Sequence, residues 1–172
     1  CADRLADRLA ELGVHDFLLE ITGEVLCRGL RPDGRPWRIG VVDPERAEIG
    51  RESSVVSLPV RDRALCTSGD YRNFQVLDGT VVTHVFDPRT AKNPVHGVVS
   101  ATVLARSCAL ADALGTALMV VGPAGAEALL RAAGEPELAA FVLVADGERR
   151  LSKLEFAWPE AFALDGTPLP RP

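Results

Sequence analysis

Two oxygen-bearing side chains stand four residues apart in Ala111-Asp112-Ala113-Leu114-Gly115-Thr116. On a helix that spacing puts Asp112 and Thr116 on one face, a turn from each other. A carboxylate and a hydroxyl are hard oxygen donors, suited to Mg²⁺ or Ca²⁺. The same spacing also fits a solvated aspartate and a threonine bonded to its own helix backbone. The neighbours favour the ligand reading. Ala109, Leu110, Ala113, Leu114, Ala117, Leu118 and Met119 leave the helix little polar face, and a carboxylate buried there needs a partner or a metal.

Two further segments carry chemistry. Thr67-Ser68-Gly69-Asp70-Tyr71-Arg72-Asn73 sets small hydroxyls and a glycine at a strand end, where exposed backbone N–H groups can hold phosphate oxygens. A tight turn between strands would use the same residues. Thr83-His84-Val85-Phe86-Asp87-Pro88-Arg89-Thr90 puts His84 in an alternating strand that ends at Asp87-Pro88. A histidine in a strand is often structural, but Asp87, Arg89 and Thr90 follow on one loop, so a polar site at the strand end is also consistent. The chain has no GxxxxGK[ST], GxGxxG, HExxH or GxSxG, so P-loop nucleotide hydrolysis and α/β-hydrolase chemistry are not supported.

The elements that must position these groups follow from periodicity and turn chemistry. Leu5, Leu9 and Leu12 share one face of an amphipathic helix over 2–12, which Gly13 caps. Strands are predicted over 15–21, 25–30, 37–42, 53–60, 64–67, 74–77, 80–86 and 98–104, with Pro/Asp/Gly turn chemistry at 31–36. Asp78-Gly79 marks a two-residue hairpin. Helices are predicted over 105–121 and 123–133. Strands over 141–144 and 151–156 close a hairpin across Asp146-Gly147, and a loose tail follows from 159. Antiparallel strand runs with helices clustered at two places give an α+β fold, with a mainly antiparallel sheet and helices packed on it.

Composition sets the outer limits. The 172 residues suffice for one domain, here 1–158, plus the tail 159–172. A net charge of −5 argues against a sequence-independent nucleic-acid binder, which needs a basic face for phosphates. No apolar run approaches the ~20 residues that span a bilayer. The best candidate, 109–121, is interrupted by Asp112. Cys1, Cys27, Cys66 and Cys108 form no CxxC pair, and a zinc site is not expected; they read as buried free thiols. Cys1 is not read as a lipobox cysteine, which needs an apolar leader before it and a spacer after it. Unpaired cysteines lean towards the cytoplasm.

Taken in order, six segments resemble the C-terminal half of the ApbE family, the FAD:protein FMN transferases. They are Ala2-Asp3-Arg4, Phe17 to Glu24, Trp37 to Pro44, Thr67 to Asn73, His84 to Thr90 and Ala111 to Ala117. The resemblance implies an ApbE-like fold and a Mg²⁺-dependent enzyme that moves the FMN half of FAD onto a threonine hydroxyl of a target flavoprotein, releasing AMP. It implies Asp112 and Thr116 as metal ligands, with a main-chain carbonyl at Cys1, and a carbonyl from Gly115 nearby. It implies His84 as the catalytic base and contacts to FAD from Arg4, Ser68, Gly69, Asp70, His84 and Val85.

The family's N-terminal half, which runs up to a Lys-Gly-Tyr, has no counterpart in this chain. The usual Gly-Gly after the second strand is Thr22-Gly23, and the Thr-Gly of the Asp-Pro loop is Thr90-Ala91 with Lys92-Asn93 lengthening it. Two other functions share these residues. One is a FAD-binding relative that hydrolyses the FAD pyrophosphate with water as acceptor; the other is a truncated non-catalytic module. Relatives of this family often work as membrane-anchored lipoproteins outside the cytoplasm, which is the alternative compartment if a leader precedes the chain.

Overall fold

The computed structural model describes residues 2–42, 44, 54–69, 74–77, 80–146 and 150–157. Cys1, the acidic loop from Asp43, Asp70, the Asp78-Gly79 turn and the tail from 159 lie outside the described residues. The elements in order are α1 (Ala2–Glu11), β1 (Phe17–Ile21), β2 (Glu24–Arg28), β3 (Trp37–Val42), β4 (Ser54–Val60), β5 (Ala64–Gly69), β6 (Phe74–Leu77) and β7 (Thr80–Thr83). They continue with β8 (Val98–Ala105), α2 (Cys108–Ala133), β9 (Ala139–Ala145) and β10 (Leu151–Phe156).

Six strands form one sheet in the order β1-β2-β5-β8-β9-β10, and every pairing in it is antiparallel. The predicted α+β class is therefore the observed one. Side chains alternate between its two faces, as the two-residue period of a strand requires, except at the irregularity between Val98 and Ser100 of β8. Leu26, Ala64, Cys66, Ala101, Val103, Ala105, Ala140 and Val142 point to the face covered by α1 and α2. Cys27, Leu65, Leu104, Ala139, Phe141 and Leu143 point the other way, against Ile39, Val41, Val56, Leu58 and Val60 of the β3–β4 ribbon. The core thus has two layers, one on each side of the sheet.

The hairpin predicted around Asp78-Gly79 forms, with Phe74 opposite Thr83 and Leu77 opposite Thr80. It differs from expectation at its far end, since β7 stops at Thr83 and leaves His84 in a bend beyond the strand. β5 and β8 are longer than predicted, reaching Gly69 and Ala105. The β9–β10 connection is longer than a two-residue turn: the Asp146 N–H donates to the Arg150 carbonyl, so the loop runs over 146–150.

The long helix α2 carries a break where two helices were expected. Gly122 adopts φ 66° and ψ −172°, and Pro123 restarts the helix after it. Only glycine tolerates that backbone region at low cost. His96 occupies the notch: a Cβ on Gly122 would collide with its ring. The Val98 N–H donates to His96 Nδ1 at 3.4 Å, so Nε2 carries the ring proton and donates to the Val120 carbonyl at 3.2 Å. α2 is long and apolar enough to meet the length and composition of a membrane span, because it runs on through the break past the apolar stretch read from sequence. Here it lies on the sheet with Leu114, Leu118 and Met119 buried beneath it.

At its start α2 is capped twice. The Ser107 hydroxyl accepts from the Leu110 N–H at 3.3 Å. Asp3, far away in sequence on α1, accepts from the N–H groups of Cys108 and Ala109 at 2.8 and 2.9 Å. Cys27, Cys66 and Cys108 are buried free thiols, as expected. Burial pushes the Cys27 thiol up to about 12. A hydrogen bond shared with Cys108, and then burial, push Cys66 up as well.

Candidate active site

The metal pair proposed from spacing sits on α2 where that helix crosses β5. Asp112 and Thr116 are both exposed, so the argument that Asp112 is a buried charge does not hold. The helix leaves Ala109 and Ala113 exposed beside it and buries Ala111, Leu114 and Leu118 instead. An apolar helix exposes its alanines at little cost, so a low count of polar residues did not mean a buried aspartate. Exposure also makes the carboxylate available to a ligand. The Asp112 carboxylate forms no hydrogen bond or ion pair among the described residues. Its charge nonetheless reaches inward, contributing to the raised thiol of Cys66 on β5.

Thr116 has a partner. Its Oγ1 lies 3.1 Å from Ser68 Oγ, near the end of β5. Gly115 makes that contact possible: a Cβ there would come within 3.0 Å of Ser68 Oγ and 3.3 Å of the Ala101 carbonyl. The missing side chain lets helix and sheet approach closely. Cys66 and Ser68 share the helix-facing side of β5, so Cys66 lies under the start of α2 and Ser68 under Gly115-Thr116. On the opposite face Thr67 Oγ1 and Thr102 Oγ1 are 2.8 Å apart.

His84 is exposed in the bend after β7. Its position is set by a residue that the sequence reading passed over. The Asn93 side-chain amide behaves like one more strand residue. Its Oδ1 accepts from the Thr83 N–H at 3.1 Å, and its Nδ2 donates to the Thr83 carbonyl at 3.0 Å and to the Val85 carbonyl. Thr83 Oγ1 also accepts from the Val85 N–H at 3.3 Å. The backbone on both sides of His84 is thereby pinned, and Val85 is buried. The available signal was an asparagine in an irregular loop, where its side chain commonly substitutes for backbone; spacing alone does not say which residues it meets.

The loop that follows is closed on itself. Asp87 and Lys92 bridge through the Asp87 N–H and the Lys92 carbonyl at 2.9 Å. Arg89 grips the Asp87 carboxylate with two bonds, Nε to Oδ1 at 2.9 Å and Nη2 to Oδ2 at 2.8 Å. Arg89 is thus a fork on Asp87, which holds that carboxyl below the usual aspartate range. Arg4 is exposed on α1, in a shallow concavity with Leu5, Asp7, Arg8 and Glu11. Asp70 and Cys1 lie outside the described residues. Among the described residues no cluster of three or more His, Cys, Asp or Glu could hold a metal, so any cation here would rest on mixed oxygen donors.

The chain is similar to known proteins. The chain is 36% identical over 148 residues to the FAD:protein FMN transferase of Klebsiella pneumoniae strain 342, which covers 86% of this chain and 40% of that protein. Its fold superposes on the crystal structure of the Pseudomonas stutzeri flavinyl transferase ApbE, apo form, with a TM-score of 0.72 at 37% identity, covering 89% of this chain and 45% of that one. The flavin transferase ApbE from Vibrio cholerae gives a TM-score of 0.72 at 34% identity, covering 89% and 46%. The chain spans less than half the length of these relatives. The model of the ApbE family matches residues 1–142, a stretch that holds α1, the Ser68–Thr116 contact and the pinned bend at His84, and the chain belongs to that family.

Proposed function

We propose that this chain transfers the FMN moiety of FAD to a threonine hydroxyl of a target flavoprotein, with Mg²⁺ as cofactor and AMP as leaving group. Family membership over residues 1–142 is the observation that carries this reading. The donor set supports the metal: Asp112 offers a carboxylate without a protein partner among the described residues, and Thr116 offers a hydroxyl on the same exposed face. Oxygen-only ligands of this kind match a hard cation. Asp112 and Thr116 would hold it, with the Cys1 carbonyl as a further donor. When bound, Mg²⁺ neutralises charge on the FAD diphosphate and so lowers the barrier to phosphoryl transfer.

The remaining work falls to the protein. Attack by the threonine Oγ on the FMN phosphorus forms one P–O bond, and the bond to the bridging oxygen breaks, so that AMP carries that oxygen away. The hydroxyl proton goes to a ring nitrogen of His84, whose backbone is held on both sides by Asn93. In-line transfer depends mostly on positioning, and the pinned main chain on either side of His84 supports it. Arg4, Gly69, Asp70 and Val85 complete the surface assigned to FAD.

The test uses the protein in the longest form its gene encodes, with FAD, Mg²⁺ and a flavoprotein presenting an acceptor threonine. The expected product is a fluorescent, covalently flavinylated target. His84→Ala should slow labelling by about 10²-fold or more, the usual contribution of a general base, and Asp112→Ala should abolish it. Absence of label, or labelling by Asp112→Ala at the parent rate, overturns the proposal. AMP release that proceeds equally without acceptor would reassign the chain to FAD pyrophosphate hydrolysis.

A further inference from the structure

We infer that Ser68 is a positioning residue for the cation site, orienting the Thr116 hydroxyl. The inference rests on the metal assignment proposed above and extends it to a residue outside the ligand pair. A hydroxyl that ligates a cation does so through an oxygen lone pair, and its proton must be given to some other acceptor. Ligation strengthens that need, because a bound cation makes the O–H a better donor. Ser68 Oγ, 3.1 Å from Thr116 Oγ1, is the acceptor in place. With Thr116 donating to Ser68, its lone pairs are left to face the cation.

Three observations converge on this pair. Gly115, the residue before Thr116, is buried, and its missing side chain admits Ser68: a Cβ would lie 3.0 Å from Ser68 Oγ. Larger residues there would lift α2 off β5 and stretch the contact. Asp112, one turn before Thr116, lies on the same exposed face of α2. The α2 segment that bears both ligands is also fixed at its ends, by Asp3 at Cys108 and by His96 at Val120. Without Ser68 the Thr116 hydroxyl would fall back on the Asp112 carbonyl one turn earlier in its own helix, the usual resort of a helical threonine. That bond would hold Oγ1 to the helix backbone and away from β5.

The experiment titrates Mn²⁺, as a paramagnetic probe, into the parent, Ser68→Ala, Ser68→Thr and Asp112→Ala, with FAD present and absent, and records melting without metal in parallel. Ser68→Ala should melt like the parent and bind Mn²⁺ about 10- to 100-fold more weakly, the range seen when a group supporting a metal ligand is removed. Ser68→Thr, which keeps a hydroxyl, should recover most of the loss. In steady-state transfer the Ala variant should need more Mn²⁺ for half-maximal rate and approach the parent rate at saturation. Parent-like Mn²⁺ affinity in Ser68→Ala, with Asp112→Ala defective, overturns the role of Ser68 and leaves the function standing. Parent-like affinity in Asp112→Ala overturns the metal assignment and this inference together. Should Ser68→Ala melt lower, the double-mutant cycle with Thr116→Val removes the common stability loss. A coupling near zero in Mn²⁺ affinity then counts against the pair.

Discussion

The Asp3 carboxylate caps the long helix from the other end of the sequence, accepting the Cys108 and Ala109 N–H groups with one oxygen each. Ser107 already satisfies Leu110 locally, so the two caps divide the free N–H groups of the first turn between them. The negative charge also faces the positive end of the helix dipole.

Removing that carboxylate should be costly for a residue on a half-exposed helix. Asp3→Ala is expected to lower unfolding stability by about 1–3 kcal/mol, the range for a lost cap and for bonds to a charged acceptor. For a domain of this size that is roughly 2–4 °C of melting temperature per kcal/mol. Asp3→Asn should retain part of the stability, since its oxygen still accepts one bond. Denaturant titration of the two variants checks this, and equal melting of Asp3→Ala and parent would contradict it.

At the helix break the prediction is of strain and its relief. Gly122→Ala must place a side chain in a backbone region reserved for glycine and against the His96 ring. The two penalties together should cost about 2–4 kcal/mol. In a His96→Ala background the ring is absent, so the same substitution should cost less there than in the parent. The double-mutant cycle measures that difference; additive losses would mean that ring and glycine do not touch in solution.

The Asp87–Arg89 pair yields a pH prediction whose sign is fixed. Arg89 holds the Asp87 carboxyl below its ordinary value, so the native state binds that proton less readily than the unfolded chain. The contribution is present above the ordinary aspartate range near ~3.9 and is lost as pH falls through the lower native value. Both groups are at the surface, so the effect on global stability should be small. The clear readout is the carboxyl titration followed by NMR: its midpoint should lie below that of an ordinary aspartate and return towards it in Arg89→Ala. A midpoint unmoved by that substitution would show that the fork does not persist in solution.

Much of this architecture was legible as periodicity. Near-continuous apolar runs in β8 and β9 fit a sheet covered on both faces, and Gly122-Pro123 falls where the two predicted helices part. What periodicity reports is which side a residue takes, never what it meets there. The β3–β4 ribbon therefore read as ordinary strands, although it forms a separate layer against Leu65, Leu104 and Phe141. The Asp3 cap was invisible for the same reason, since it joins residues over 100 positions apart. Asp112 misled in a different way: alanines occupy the exposed face beside it, and alanine is too small to mark whether a helix face is wet or dry. Asn93 looked like loop lengthening because its value lies in three backbone groups that no local pattern identifies.

The break at Gly122 divides α2 into two rods with different obligations. The leading rod is bolted at both ends, by a carboxylate from α1 and by an imidazole wedged under its last turn, so it can neither slide along its axis nor roll on the sheet. The trailing rod, from Pro123 onward, is held by packing instead, with Ala126 buried and Leu129, Leu130 and Ala133 against the core. Insertions, drift in sequence or a change of tilt there would be absorbed at the glycine joint before reaching Thr116, which makes the second rod the natural place for this fold to vary without disturbing its chemistry.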